Sequence, residues 1–215
     1  KLDMNIDKEQ KIMKKKGEDN ILANIALGYL KKGITMCELQ SNYLMFENGG
    51  KKYSLYTIEE IKTEGKEYYK HTNEQGKRMI SEETAYIMNR LLKEVVSQDG
   101  TGKAASLKDI EVCGKTGTSR NYKDNWFVGM TPEYACSVWY EEKNPEAYIE
   151  NESPIIFHNI MKNLKCDKQK KYPESEGVIK KKYCKKTGLI ANEHCTETGE
   201  GYYNKNCIPD VCTCE

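Results

Sequence analysis

Several features are scarce in this chain, and each scarcity removes a reading. Long apolar runs are missing. The best of them, ILANIALGYL at 21–30, carries an asparagine and falls far short of the ~20 residues that a membrane-spanning helix needs. No signal peptide is visible either. Net charge is nearly absent: 34 basic and 33 acidic residues leave +1, so no one-signed field points to nucleic acid. The lysine runs at 14–16 and 180–182 each have acids nearby and read as solvated faces. Imidazole is rare. His71, His158 and His194 show no ligand-like spacing among themselves or with acids, and they are expected to be surface or packed side chains. Neither a metal nor a cofactor is expected. Phenylalanine is rare too, with 3 against 15 tyrosines. That composition fits a soluble, highly charged chain of one or two domains with a modest core.

Cysteine is abundant by comparison. Of nine, five lie in the last 32 residues: Cys184, Cys195, Cys207, Cys212 and Cys214. Such density means disulfides in an oxidising compartment or a metal site in a reducing one. The spacings are x10, x11, x4 and x1, without a C-x-x-C pair, and His194 is the only imidazole nearby. The spacing favours disulfides over zinc and leaves their connectivity open. Cys37, Cys113, Cys136 and Cys166 are scattered, and Cys37 and Cys136 read as small buried hydrophobes.

Along the chain, the first twenty residues are polar and basic, as in a loop or the tail of a preceding element. ITMCELQSNYLMFENGG reads as a helix that Thr35 and Glu38 cap reciprocally, with Met36, Leu39, Tyr43 and Phe46 at helical spacing. YSLYTIEEIKTEGKEYYKH reads as a hairpin around Thr63-Glu64-Gly65. Ser81 opens the clearest helix, with Glu82 and Glu83 at its positive end and an apolar stripe of Ile87, Leu91, Leu92, Val95 and Val96. IEVCGKTGTS, WFVGMTP and YACSVWYE read as three strands, the last two joined at Thr131-Pro132-Glu133. A helix over 152–164 then presents Ile155, Ile156, Ile160, Met161 and Leu164. The order predicts an α+β fold: an antiparallel sheet with flanking helices, plus a small Cys-rich tail. Expected divisions are a leading segment at 1–20, a main domain at 21–165, a charged linker at 166–183 and a Cys-rich extension at 184–215.

The run CGKTGTS suits an anion. Lys115 supplies a point charge, and Thr116 and Thr118 supply directional hydrogen bonds. Gly117 lets a substrate lie against the strand. A backbone N–H there can face a developing oxyanion, a large aid to acyl transfer. Alone, Lys-Thr-Gly is a weak signal, equally at home in an ordinary polar strand.

Its context makes the chain resemble penicillin-binding proteins, in the later half of the transpeptidase domain of the class A type. IALGYLKKGITMCELQSNYLMFENGG resembles the family's helix ending Ala-Tyr-x-x-Phe-x-Asn-Gly-Gly, with Asn42 in place of the alanine. ISEETAYIMNRLLKEVV is similar to its Ser-x-x-Thr-Ala helix, and GTGKAA precedes the sheet as in relatives. GKTGTS and DNWFVGMTP match Gly-Lys-Thr-Gly-Thr and Asp-x-Trp-Phe-x-Gly-x-Thr-Pro. YCKKTGLIANEHC is similar to the Cys-containing extension that some members carry.

The resemblance implies roles. Lys115 would organise the catalytic hydrogen bonds and attract the terminal carboxylate of a D-Ala-D-Ala stem peptide. Thr116 and Thr118 would bind that carboxylate or its β-lactam equivalent, Gly117 would line it, and the Thr118 N–H would form half of an oxyanion hole. Trp126 and Phe127 read as packing residues. The family's Ser-x-x-Lys nucleophile and upstream Ser-x-Asn have no counterpart here, since Ser119-Arg120-Asn121 lies within the third motif's own loop. Both are expected to precede Lys1, so the chain alone is expected to be inactive and poorly soluble. The leading expectation is a peptidoglycan cross-linking serine D,D-transpeptidase. It would sit on the extracytoplasmic face of a bacterial membrane through an anchor outside this chain. Its partners would be stem peptides, β-lactam antibiotics and the upstream part of the same protein, with no nucleic acid. The alternative is a non-catalytic module that binds β-lactams or cell-wall peptides. A serine β-lactamase fits the Trp-Phe-x-Gly-x-Thr-Pro run and the tail poorly.

Overall fold

A computed structural model describes residues 21–26, 28, 30, 33–72, 75–119, 121–144, 146 and 149–214. The expected leading segment at 1–20 lies outside the described residues, as does Arg120. The described elements run α1 (Ile21–Ala26), α2 (Met36–Glu47), β1 (Lys51–Lys52), β2 (Glu60–Thr63), β3 (Lys66–Lys70), β4 (Lys77–Arg78) and α3 (Glu82–Val95). After a 3-10 turn (Lys103–Ala105) come β5 (Cys113–Thr118), β6 (Asp124–Met130), β7 (Ala135–Glu141), α4 (Glu152–Met161), β8 (Val178–Cys184) and β9 (Thr198–Asn204). Among the described residues, no helix is long and apolar enough to cross a membrane.

The central layer is the antiparallel sheet β5-β6-β7, with β5 at one edge. Strand alternation gives it two apolar faces. Toward one side Cys113 and Met130 meet Leu92 of α3 and Tyr172, with Tyr43 and Phe46 of α2 packed alongside. Toward the other, Phe127 and Val138 meet Phe157 and Met161 of α4, together with Ala105 and Val96. Helices therefore cover both faces, as the expected α+β class requires.

Local chemistry sets the helix starts. The Thr35 hydroxyl accepts from the Glu38 N–H at 3.2 Å while the Glu38 carboxylate accepts from the Thr35 N–H at 2.9 Å, a complete capping box on α2. The end of α2 turns through Gly50 at φ +89, where a Cβ would sit 2.3 Å from the Ile80 carbonyl oxygen. In α3 the Ser81 hydroxyl accepts from the Thr84 N–H at 3.2 Å. The β2–β3 hairpin turns at Glu64 and Gly65, both at positive φ (51° and 78°), as a two-residue hairpin loop demands.

Which helix face is buried differs from the sequence reading. In α2 the buried side chains are Ser41, Asn42 and Met45, while Met36 is exposed. In α3 the buried line is Ala85, Asn89, Leu92 and then Val96; Leu91, placed in the expected stripe, is 57% exposed. A polar Asn89 occupies that line because its amide N–H has a partner across the helix pair. Its Nδ2 donates to the Phe46 carbonyl at 3.0 Å, while its Oδ1 is buried without a partner and its backbone carbonyl accepts from the Cys113 thiol at 3.2 Å. In α4 Ser153, Pro154, Phe157 and Met161 are buried, whereas Ile155 and Ile160 are exposed, as is Leu164 just beyond its end. Phe157 reaches the sheet together with Met161, its ring edge-on to Phe127 at 5.0 Å between ring centroids. Cys37, expected inside, is exposed.

The stretch at 166–183 is more structured than a linker. Tyr172 is buried beneath the sheet, and its N–H donates to Glu111 at 3.3 Å. Asp167 donates its N–H to Glu133, and Lys168 pairs with Asp109. Strand β8 begins at Val178 and pairs antiparallel with β9 in the tail, in register from Val178↔Asn204 to Cys184↔Thr198.

Candidate functional site

Strand β5 carries every residue singled out for chemistry. It pairs with β6 over its whole length, with Lys115 opposite Val128, Thr116 opposite Phe127, Gly117 opposite Trp126 and Thr118 opposite Asn125. Alternation puts Lys115 and Gly117 on one face of this edge strand, and Thr116 and Thr118 on the other. Lys115 and Thr118 are exposed; Thr116 and Gly117 are half-buried. The Lys115 ammonium donates to the Thr116 carbonyl at 3.0 Å.

What fixes the strand in place is one ring. Phe127 is fully buried, and it nests against three glycines. A Cβ at Gly102 would meet the ring at 3.0 Å, one at Gly114 at 2.5 Å and one at Gly129 at 2.6 Å. Phe157 closes the remaining side. Phe127 thus packs as expected. Trp126 lies on the opposite face, half-buried, with its ring centroid 6.0 Å from that of Trp139. Gly117 differs from Gly114: a Cβ there would lie 3.4 Å from the Trp126 Cβ, an ordinary contact.

Sequence reasoning missed Thr101. The segment Gly100–Ala105 folds onto β5, with the Gly102 N–H donating to the Val95 carbonyl at 2.7 Å. Its Thr101 hydroxyl lies 3.0 Å from the Thr116 hydroxyl. The GTGKAA motif was visible as a string; its contact with the Lys-Thr-Gly strand is tertiary. Ser119 closes a turn, its Oγ accepting from the Asp124 N–H at 2.9 Å. A shallow cleft of ≈ 390 Å³ opens between the end of α3 and the segment Ser106–Val112, but none of Lys115, Thr116, Gly117 or Thr118 lines it.

Nearby, α3 and the segment entering β5 carry a half-buried ionic group. Burial opposes ionisation of Glu111. The Lys93 ammonium, the Tyr172 N–H and the Arg90 charge outweigh it and hold the carboxyl below its ordinary value. Burial also pushes the Cys113 thiol up to about 12, which makes it an inert packing group.

A second grouping lies in the tail. All nine cysteines are free thiols, and four of them, Cys184, Cys195, Cys212 and Cys214, have their sulfurs within 4.8 Å of one another. This departs from the expected disulfides, because pairing brings sulfurs together in twos at ~2.05 Å. Spacing along the chain missed the grouping because three separate segments supply it.

A three-stranded antiparallel sheet between helices, with a Lys-Thr-Gly strand at its edge, places the chain in the α+β class of transpeptidase-type domains. The family model described as penicillin binding protein transpeptidase domain matches residues 3–162, and the chain belongs to that family. It is 34% identical over 175 residues to penicillin-binding protein 1A of Clostridium novyi, an alignment covering 76% of this chain and 19% of that protein. The chain therefore spans about a fifth of the length of such relatives. Among solved structures, penicillin-binding protein 1A from Haemophilus influenzae shares the fold at a TM-score of 0.66 and 18% identity, over 82% of this chain and 32% of that one. The D,D-transpeptidase domain of a peptidoglycan glycosyltransferase from Eggerthella lenta matches at 0.50 and 28% identity, over 58% and 30%. The family match ends beside the last residue of α4, so the four-thiol grouping lies beyond it.

Proposed function

We propose that β5 is the substrate-holding edge of a serine D,D-transpeptidase that cross-links peptidoglycan outside the cytoplasmic membrane. The observation that carries this reading is the edge strand itself: Lys115, Thr116, Gly117 and Thr118 stand on it with a charge, two hydroxyls and an unhindered backbone. In this reading the Lys115 ammonium attracts the terminal carboxylate of a D-Ala-D-Ala stem peptide. The Thr116 and Thr118 hydroxyls donate to it, and the Thr118 N–H faces the carbonyl oxygen as it gains charge. A serine in a Ser-x-x-Lys segment, which these 215 residues do not contain, attacks the penultimate carbonyl. D-alanine leaves with a proton, and the amine of a second stem peptide resolves the acyl-enzyme. A β-lactam would acylate the same serine.

Thr101 supports the geometry. When its hydroxyl donates to Thr116 Oγ1, the Thr116 hydrogen is free to point at a carboxylate. The test is intact mass of the protein with its Ser-x-x-Lys segment present, with and without benzylpenicillin. A stoichiometric adduct on the serine, lost in Lys115→Ala, is expected. A folded protein without an adduct would move the assignment to a non-catalytic module that binds β-lactams or cell-wall peptides.

A further inference from the structure

From the convergence of four thiols in the tail, we infer that Cys184, Cys195, Cys212 and Cys214 bind one zinc ion as a closed structural site. This concerns residues beyond the family match, and where the proposed function places them, outside the cytoplasmic membrane, it requires the ion to hold the four thiolates against oxidation. A tetrahedral zinc with Zn–S bonds of ~2.3 Å sets sulfur–sulfur edges of about 3.8 Å. Here Cys184 Sγ lies 3.9 Å from Cys214 Sγ, Cys212 Sγ lies 3.1 Å from Cys214 Sγ, and all four fall within 4.8 Å. Small adjustments close such a set around one ion.

Three chain segments deliver the ligands, and backbone bonds lace them together. Cys184 ends β8, and its N–H donates to the Leu189 carbonyl across a turn that needs positive φ at Gly188. Ile190 then bridges outward to both sides, antiparallel to Tyr183 and parallel to Val211. The Cys212 N–H donates to the Ile190 carbonyl at 2.7 Å. Asn192 ties the remaining pieces: its Nδ2 donates to the Cys212 and Cys214 carbonyls, both at 2.9 Å, and its backbone carbonyl accepts from the Cys195 N–H at 3.3 Å. Donors also face the sulfurs, as thiolates require. The Thr187 hydroxyl donates to Cys212 Sγ at 3.2 Å, and the Cys214 N–H approaches it at 3.4 Å. Lys185 and Lys186 follow Cys184 directly and offset the negative charge of a tetrathiolate.

The tail docks on α3, where Tyr202 lies edge-on to Tyr86 at 6.0 Å between ring centroids, but it has almost no core of its own. Between Val178 and Cys214 the only fully buried side chains are Cys184 and Cys212. A unit of that size without an apolar core needs disulfides or a metal. Two disulfides would use four sulfurs in separate pairs, whereas a single four-way cluster is the arrangement an ion gathers. Four protein ligands leave no open position, so the site is structural and its binding energy is folding energy.

The test is metal analysis of the full chain, purified without chelator or affinity metal, by plasma mass spectrometry alongside intact mass under non-reducing conditions. One zinc per chain is expected, retained on dialysis and reduced to background in Cys184→Ser and in Cys212→Ser. Cys207→Ser, an exposed cysteine outside the cluster, should keep it. Because the ligand variants could lose the tail's fold for another reason, wild type is also exchanged with cobalt, where thiolate charge-transfer bands and tetrahedral d–d bands are expected. An intact mass short by four hydrogens, metal-free chains with freely alkylated thiols, or an iron centre in place of zinc would each overturn the assignment.

Discussion

Two glycines on β5 separate what the fold needs from what a bound substrate needs. Gly114→Ala places a methyl 2.5 Å from Phe127 Cζ and 2.9 Å from the Val128 carbonyl oxygen. Neither can retreat: Phe127 is fully buried against Phe157, and the carbonyl belongs to the paired strand. Overpacking of this kind costs about 1–3 kcal/mol, less the ~0.4–1 kcal/mol that replacing glycine removes from the unfolded chain's freedom. A net loss of about 1.3 kcal/mol corresponds to a fall in Tm of roughly 3–5 °C for a chain of this length. Gly117→Ala meets only the Trp126 Cβ at 3.4 Å, so packing is not disturbed and the same entropy effect should raise Tm by about 1–4 °C.

Function should rank them the other way. The Gly117 methyl stands on the face that carries Lys115, in the path of a ligand lying along the strand. A clash of about 1–3 kcal/mol there slows acylation by roughly 5- to 150-fold. Calorimetry and stopped-flow with a fluorescent penicillin, on protein with the Ser-x-x-Lys segment present, measure both. Equal loss of stability in the two variants would refute the packing argument. Wild-type acylation by Gly117→Ala would refute the idea that substrate lies against this strand.

Glu47 gives a pH signature: burial, only partly offset by Lys170, raises its carboxyl from 4.5 to about 7. The unfolded chain releases that proton near 4.5 while the native state holds it, so stability falls as pH rises from ~4.5 to ~7, by up to about 3 kcal/mol. Glu47→Gln should flatten that slope in denaturant titrations, being more stable than wild type at pH 8 and not at pH 4; parallel curves would refute it. Thr101→Val removes a hydrogen bond worth ~0.5–1.5 kcal/mol, so Tm should fall by roughly 1–6 °C and acylation, measured well below that Tm, should slow about 2- to 12-fold as the Thr116 hydroxyl loses its orientation; an unchanged rate would remove Thr101 from the site. Tyr172→Ala should hasten tryptic cleavage at Lys168, Lys170 and Lys171, because the buried ring is what holds that stretch to the sheet. Unaltered digestion would show that the surface ion pairs suffice.

Features set by neighbours in the chain were legible in the sequence. The Thr35–Glu38 capping box and the hairpin turn at Glu64-Gly65 each depend on residues a few positions apart, and the structure forms them where they were expected. The three strands around Lys-Thr-Gly were legible for a similar reason, since short turns join the later two. The buried side of each helix was not. Leu91 is as apolar as Leu92, yet only Leu92 meets Cys113 and Met130. Which one turns inward depends on where α2 and β5 lie, and no local pattern contains that. Asn89 shows the converse: a polar residue is buried because a carbonyl from α2 waits for it.

The tail shows most sharply why spacing along a chain is a poor guide to chemistry in space. The intervals between its cysteines match no familiar zinc pattern, and that argument holds only when each ligand pair sits in its own tight turn. Here the chain instead carries Cys184 on a strand end, Cys195 on a loop and the Cys212–Cys214 pair on a third segment bound to Ile190. Cys207 is as near in sequence as any of them, yet it stays exposed and outside the group. Two disulfides would likewise leave one of five cysteines over, but they would bring sulfurs together in twos and give no reason for four to gather within 4.8 Å of one another. A four-coordinate ion gives that reason, because it takes four thiolates around one point.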